Sequence, residues 1–199
     1  DLVFDGDSVV VDAQGGLIAR SPQFEEGLMV VDIDARLSTS NPDVLISDIP
    51  NAPYDRIKHG IAARLEDSEE VWQALVLGLQ DYVRKNGFTS VALGLSGGID
   101  SALVAALAVD ALGAENVRGL ALPTEFSSAG SIDDARSLAA NLGIRFDVVP
   151  IQGSFEALKR QMGPLFEGRP EDTTEENLQA RLRGVTLMAM SNKFGSLLL

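Results

Sequence analysis

The segment from Val91 to Leu112 constrains this chain more than any other. A short apolar stretch, Val91-Ala92-Leu93-Gly94-Leu95, passes through Ser96-Gly97-Gly98-Ile99-Asp100 into Ser101–Leu112, which is apolar almost all round. The pattern predicts a buried strand, a glycine-serine turn and a helix buried on most sides. Gly97 and Gly98 have no Cβ, so the backbone there can take positive φ and approach a ligand closely. The turn leads directly into a helix N-terminus, whose unbonded N–H groups and dipole favour an anion. Ser96 and Ser101 add hydroxyls, and Asp100 adds a carboxylate suited to holding Mg²⁺ against phosphate. Gly94, Leu95, Ser96, Gly97, Gly98, Ile99, Asp100 and Ser101 are therefore the candidate loop for the pyrophosphate of ATP.

The rest of the chain supplies the setting. Val71, Leu75, Leu79 and Val83 recur at helical spacing, and Gly87 follows where a left-handed residue ends a helix. After the loop come a strand at Val117–Leu122, a helix capped at Ser131 and running to Leu142 before Gly143, and a strand at Phe146–Ile151. Next is a helix opened at Ser154, with Phe155, Leu158 and Met162 on one face. Thr173-Thr174-Glu175-Glu176 is a capping-box pattern. The helix it opens is expected to turn Leu178, Leu182, Val185 and Ala189 inward, and Ser196–Leu199 starts a fourth strand. Alternating strands and helices predict an α/β domain with a doubly wound parallel sheet over 68–199. Ligands of such sheets sit beyond the carboxyl ends of the strands, where this loop falls.

Residues 1–34 read differently. Ser8–Asp12 and Leu17–Arg20 flank Gln14-Gly15-Gly16 as a hairpin, and Leu28–Ile33 reads as a third strand. This short β fragment is too small to bury a core alone and is assigned to a second domain. Residues 35–67, with Pro42, Pro50 and Pro53 among Asn, Asp and Ser, read as a linker.

Three readings of the loop compete on residues alone. The Gly-Lys-Ser/Thr ending of the common P-loop is missing, and the glycine spacing is not that of the dinucleotide fingerprint. Gly94-Leu95-Ser96-Gly97-Gly98 does fit the nucleophile elbow of a serine hydrolase, with Ser96 as nucleophile. That chemistry needs a downstream His, and the one His of the chain is His59. The plainest reading is a glycine-rich turn that lets strand and helix pack closely. The pair Asp100-Ser101 has a role only in the phosphate reading.

Composition narrows the partners. A net charge of −13 argues against nucleic acid, which requires a basic footprint. With no cysteine there is neither a disulfide framework nor a thiolate metal site, in keeping with a cytoplasmic protein. No apolar run is long enough to span a membrane. The chain opens on Asp1 without Met and closes on Leu197-Leu198-Leu199 within an apolar run, so it is expected to be a segment of something longer.

Ser96-Gly97-Gly98-Ile99-Asp100-Ser101 resembles the SGGxDS signature of the N-type ATP pyrophosphatases, ligases that split ATP between the α and β phosphates. Within that group, Glu176-Asn177-Leu178-Gln179-Ala180-Arg181-Leu182-Arg183-Gly184 resembles the E-N-x-Q-A-R-x-R-G helix of the NAD synthetases. Pro123-Thr124-Glu125-Phe126-Ser127-Ser128 and Ser191-Asn192-Lys193-Phe194-Gly195 are similar to the same enzymes. Phe4-Asp5-Gly6-Asp7-Ser8, Ala13-Gln14-Gly15-Gly16 and Pro22-Gln23-Phe24-Glu25-Glu26 resemble the closing strands of the nitrilase-like glutaminase domain that precedes the synthetase in the glutamine-dependent branch.

The resemblance implies an adenine nucleotide α-hydrolase-like fold that amidates deamido-NAD to NAD. ATP and Mg²⁺ are required, ammonia comes from glutamine, and AMP and pyrophosphate are released. It implies catalytic roles for Ser96, Asp100 and Ser101, with Asp100 as metal ligand. It makes Asn177 a deamido-NAD ligand with Arg181 beside it, and it implies a homo-oligomer with a dimeric synthetase core. Two departures stand out. Ala121 precedes Leu122-Pro123, where some members carry a basic residue. The T-G-N-K-S-E segment with the second metal acid is expected after Leu199, so this segment alone is expected to hold an incomplete active site. Another ATP pyrophosphatase amidotransferase and a non-enzymatic nucleotide-binding module remain the alternatives.

Overall fold

The computed structural model describes residues 2–33, 44, 52–57, 59–125 and 128–199, with the backbone alone at Ala129. Two compact units are present, Val3–Ala74 and Leu75–Leu199.

The first unit is organised by a hairpin, strands β1 (Val9–Val11) and β2 (Leu17–Arg20), antiparallel with Val10 opposite Ala19. Asp12 fixes the turn: its Oδ1 accepts from the backbone N–H groups of Gln14 at 2.9 Å and Gly16 at 2.7 Å. The expected third strand at Leu28–Ile33 does not form. The free edge of β2 is taken instead by Gly60–Ala62, which bonds to both backbone groups of Arg20. Strand propensity cannot supply a ladder partner, and Leu28, Val30 and Ile33 are exposed. About half of the linker expected at 35–67 falls outside the described residues. From its described part, the Tyr54 hydroxyl and the amide of Ile57 donate to the carboxylate of Asp32.

Helix α1 (Asp67–Lys85) forms at the expected place, and Gly87 has φ +77°. Its apolar stripe is buried only toward the C-terminal end. Val83 is fully buried and Leu79 partly so, whereas Val71 and Leu75 are exposed.

The second unit is built on strands β3 (Val91–Gly94), β4 (Val117–Ala121), β5 (Arg145–Val148) and β6 (Leu197–Leu198). All neighbours are parallel and the order is β5-β4-β3-β6. The connecting helices are α2 (Ile99–Leu112), α3 (Ala129–Leu142), α4 (Gln152–Met162) and α5 (Thr173–Phe194). Alternation along β3 shows why both faces are covered. Val91 and Leu93 enter a core with Ala105, Ala108, Ala135 and Ala139 of α2 and α3. Gly94 points the other way, where an added Cβ would meet Leu187 of α5 at 3.5 Å. This is the predicted doubly wound sheet. Its order reverses between β3 and β6, which places the topological switch point at the carboxyl end of β3.

Four local expectations need correction. Helix α2 is not buried on most sides. Ala105, Ala108 and Ala111 face the sheet, but Leu103 is 56% and Val104 38% exposed, because one sheet covers only one face. The cap of α3 is Ser128, whose side chain accepts from the amide of Ser131. The cap of α5 is Asp172, which forms the box with Glu175. On α5, Leu178 and Leu182 are half-buried as expected, but Val185 and Ala189 point outward, and Gln179 and Ser191 take the buried positions.

Candidate functional site

The loop after β3 is held by four separate constraints. The amide of Leu95 donates to the carbonyl of Leu120 at 2.8 Å, and the Leu95 side chain is buried, so the strand end is fixed. Gly97 adopts φ +80°, and a Cβ there would lie 2.4 Å from the carbonyl oxygen of Ser131 and 2.9 Å from its Cα. Only glycine fits both the conformation and the contact with the first turn of α3. The two serines lock the remainder. The Ser101 hydroxyl donates to the carbonyl of Gly98 at 3.0 Å and accepts from the amide of Ser96 at 3.3 Å. The Ser96 and Ser101 hydroxyls lie 3.1 Å apart, and Ser96 Oγ accepts from the amide of Gly98 at 3.2 Å. Both hydroxyls are thus engaged inside the loop and shape it.

What the loop leaves open is backbone. Side-chain oxygens cap α3 and α5, but Gly98 caps α2 with no side-chain bond. The ladder of α2 opens with the amide of Ala102 donating to Gly98 at 3.2 Å. The amides of Ile99, Asp100 and Ser101 precede that bond and point out of the helix end. Ile99 and Asp100 are exposed there. Positively polarised N–H groups on a rigid turn form an anion site. Asp100 stands alone, and among the described residues no group of three metal-ligating side chains exists. One carboxylate suits Mg²⁺, which takes one or two from protein and the rest from phosphate and water.

Beside the loop lies a cavity of about 540 Å³. Its floor is the ends of β3 and β4, with Gly94 to Ser96 on one side and Leu120 to Pro123 on the other. Ser128, the cap of α3, and Ser131 in its first turn edge it, and Leu187 and Arg183 of α5 close it. Apolar walls with a few polar groups at one end suit a flat heterocycle carrying an anionic tail.

The sequence-predicted residues divide accordingly. Gly94, Leu95 and Ser96 line the cavity, and Gly97–Ser101 form its adjoining helix end. Asn177 and Arg181 are on an exposed face of α5, outside the cavity lining, and are bonded to each other. Arg181 Nη1 donates to Asn177 Oδ1 at 3.2 Å and to its carbonyl at 3.3 Å. Ser127 lies outside the described residues. Arg183, which from sequence reads as a surface charge or an interface partner, lines the cavity. Its signal was the spacing Gln179–Arg183–Leu187, one face of a helix. As for the hydrolase reading, no histidine bonds to Ser96 among the described residues, and His59 belongs to the other unit.

Comparison with known proteins gives a consistent picture. The NAD synthase family model matches residues 71–199. Glutamine-dependent NAD(+) synthetase of Thermotoga maritima is 45% identical over 215 residues, covering 100% of this chain and 37% of that protein. The protein of the same name from Rhodobacter capsulatus is 46% identical, covering 100% of the chain and 34% of its own length. The chain thus spans about a third of the length of the curated relatives it matches. Glutamine-dependent NAD+ synthetase from Acinetobacter baumannii, solved in complex with ADP, superposes with a TM-score of 0.82 at 39% identity, covering 100% of this chain and 34% of that one. NH3-dependent NAD synthetase from Campylobacter jejuni gives a TM-score of 0.60 at 33% identity over 67% of this chain and 56% of that one.

Proposed function

The chain belongs to the NAD synthase family, and on that premise we propose that its second unit is the ATP-binding part of a glutamine-dependent synthetase that amidates deamido-NAD to NAD. The observation that carries this is the uncapped N-terminus of α2, held open by Gly97 and the two serines beside a cavity sized for a nucleoside. The nicotinate carboxylate attacks the α-phosphorus of ATP, and the bond to the β-phosphate breaks. Pyrophosphate leaves as an anion facing the amides of Ile99, Asp100 and Ser101, where charge developing in the transition state meets fixed dipoles. Ammonia then attacks the adenylated carboxyl carbon, AMP departs, and the amide of NAD results. The protein chiefly positions and stabilises charge, as in other phosphoryl and nucleotidyl transfers.

Mg²⁺, when bound, neutralises the phosphate oxygens as a Lewis acid, and Asp100 is the residue of this chain that would hold it. Ser96 and Ser101 act by fixing the loop. Asn177 and Arg181, already paired on an outer face of α5, are assigned to deamido-NAD. A dimeric synthetase core is part of the same reading, supported by the exposed apolar face of α2 at Ile99, Leu103 and Val104. Residues 1–34 are assigned to the end of a glutaminase domain that supplies the ammonia, and 35–67 to the linker between the domains. The reaction calls for a cytoplasmic location, where ATP is at hand. No helix among the described residues is long and apolar enough to cross a membrane. The test is pyrophosphate release by the full-length protein with ATP, Mg²⁺, deamido-NAD and ammonia. Release should depend on deamido-NAD, and equal release without it would overturn the proposal.

A further inference from the structure

Among the described residues that line the cavity, Arg183 is the only charged side chain. It is half-buried, in a chain whose net charge is −13, yet no carboxylate pairs with it among the described residues. Its recorded bond is from Nε to the carbonyl of Leu122 at 3.4 Å. A guanidinium carries five N–H groups. Anchoring through Nε leaves the four on Nη1 and Nη2 as a planar fork, the geometry that matches phosphoryl oxygens. Arg181, two residues earlier, is turned to Asn177 instead. Helical geometry then sets the direction. Leu187 lies against Gly94 at the carboxyl end of β3, and Arg183 is one turn earlier on the same face of α5. The side chain therefore stands across the mouth of the cavity from the loop.

We propose that Arg183 is a direct ligand of the bound nucleotide's phosphoryl oxygens, the side-chain cation that completes the anion site begun by the amides of Ile99, Asp100 and Ser101. This rests on the nucleotide reading given above and adds a residue to it. It differs from a merely structural role, in which Arg183 props the Leu122 carbonyl and shapes the slot for the base. The two roles separate by ligand: a phosphoryl ligand affects ATP and spares adenosine, whereas a prop affects both.

The experiment is calorimetric titration of the full-length protein with Mg·ATP and with adenosine, for the wild type, R183Q and R183K, together with KM and kcat for ATP. A lost charged hydrogen-bond partner weakens binding about 10- to 100-fold. R183Q should lose that much affinity for ATP, raise its KM in parallel and leave adenosine affinity within about twofold. R183K should fall between, since it keeps the charge but not the fork. Unchanged ATP affinity in R183Q, or equal losses for ATP and adenosine, would overturn the proposal. If R183Q does not fold, R183K decides by the same comparison. A wild type that binds ATP but shows no pyrophosphate release dependent on deamido-NAD refutes the synthetase reading alone, and the two ligands still decide Arg183. A wild type that binds no ATP refutes both.

Discussion

Replacing Gly97 by alanine tests the loop at its tightest point, and Gly87 provides the internal control. Both glycines sit at nearly the same φ, +80° and +77°, so an added Cβ carries the same conformational penalty at each. That penalty is roughly 1–2 kcal/mol for an L-residue in the left-handed region. The surroundings differ completely. Nothing lies within 4 Å of a Cβ on Gly87, whereas on Gly97 it would meet three backbone atoms of Ser131, at 2.4, 2.9 and 3.0 Å. Backbone in the first turn of a packed helix cannot swing aside as a side-chain tip can. Overpacking of this kind costs about 1–3 kcal/mol more. G87A should therefore lose about 1–2 kcal/mol, and G97A about 2–5 kcal/mol in all. In a domain of this size each kcal/mol lowers Tm by about 2–4 °C. Thermal unfolding followed by circular dichroism, with and without Mg·ATP, reads both effects. G97A should unfold at lower temperature than G87A and lose the stabilisation that ATP confers, while G87A keeps it. If the two variants unfold together, or G97A retains full stabilisation by ATP, the contact between loop and α3 is not what holds the site.

Three further outcomes are expected. D100N should raise the Mg²⁺ concentration needed for half-maximal pyrophosphate release severalfold, and an unchanged Mg²⁺ titration would remove Asp100 from the metal site. S96A should weaken ATP binding by loosening the loop yet retain measurable turnover, and the wild type should not react with a serine-directed phosphonate. Covalent labelling at Ser96 would revive the hydrolase reading. The third concerns Asp147. Burial alone would raise its pKa, but the hydrogen bond from Arg118 at 2.7 Å and the charges of Arg118 and Arg145 outweigh that and hold it below the usual value. A folded pKa below the unfolded one means the stabilisation is present above the unfolded pKa. It is lost as pH falls through the folded one. Acid unfolding of the wild type should therefore steepen below about pH 4. In D147N that steepening should be reduced, and matching acid profiles for the two would show that the Arg118–Asp147–Arg145 cluster does not couple to folding.

The sequence by itself determined the sheet and the place of the loop. Apolar strands such as Val91–Leu95 alternating with helical periodicity leave few parallel arrangements, and glycines leading into an apolar helix point to a loop whose backbone suits an anion. It also determined helix ends at Gly87 and Gly143, where the chain needs positive φ. It misplaced what depends on neighbours. Leu28–Ile33 carries strand propensity but forms no ladder among the described residues, and Val185 and Ala189 point out although their periodicity favoured the core. The caps at Ser128 and Asp172 each lay a few residues or fewer from the expected start, since several hydroxyls and carboxylates there compete for the same amides. Only the tertiary structure showed that Ser96 and Ser101 bond to each other rather than to solvent, and that Gly97 abuts α3. It alone brought Arg183 from a surface-like helix, 89 positions beyond Gly94 in the chain, to the mouth of the same cavity. Contacts between elements so distant in sequence are set by how helices stack on the sheet, and no local pattern encodes that.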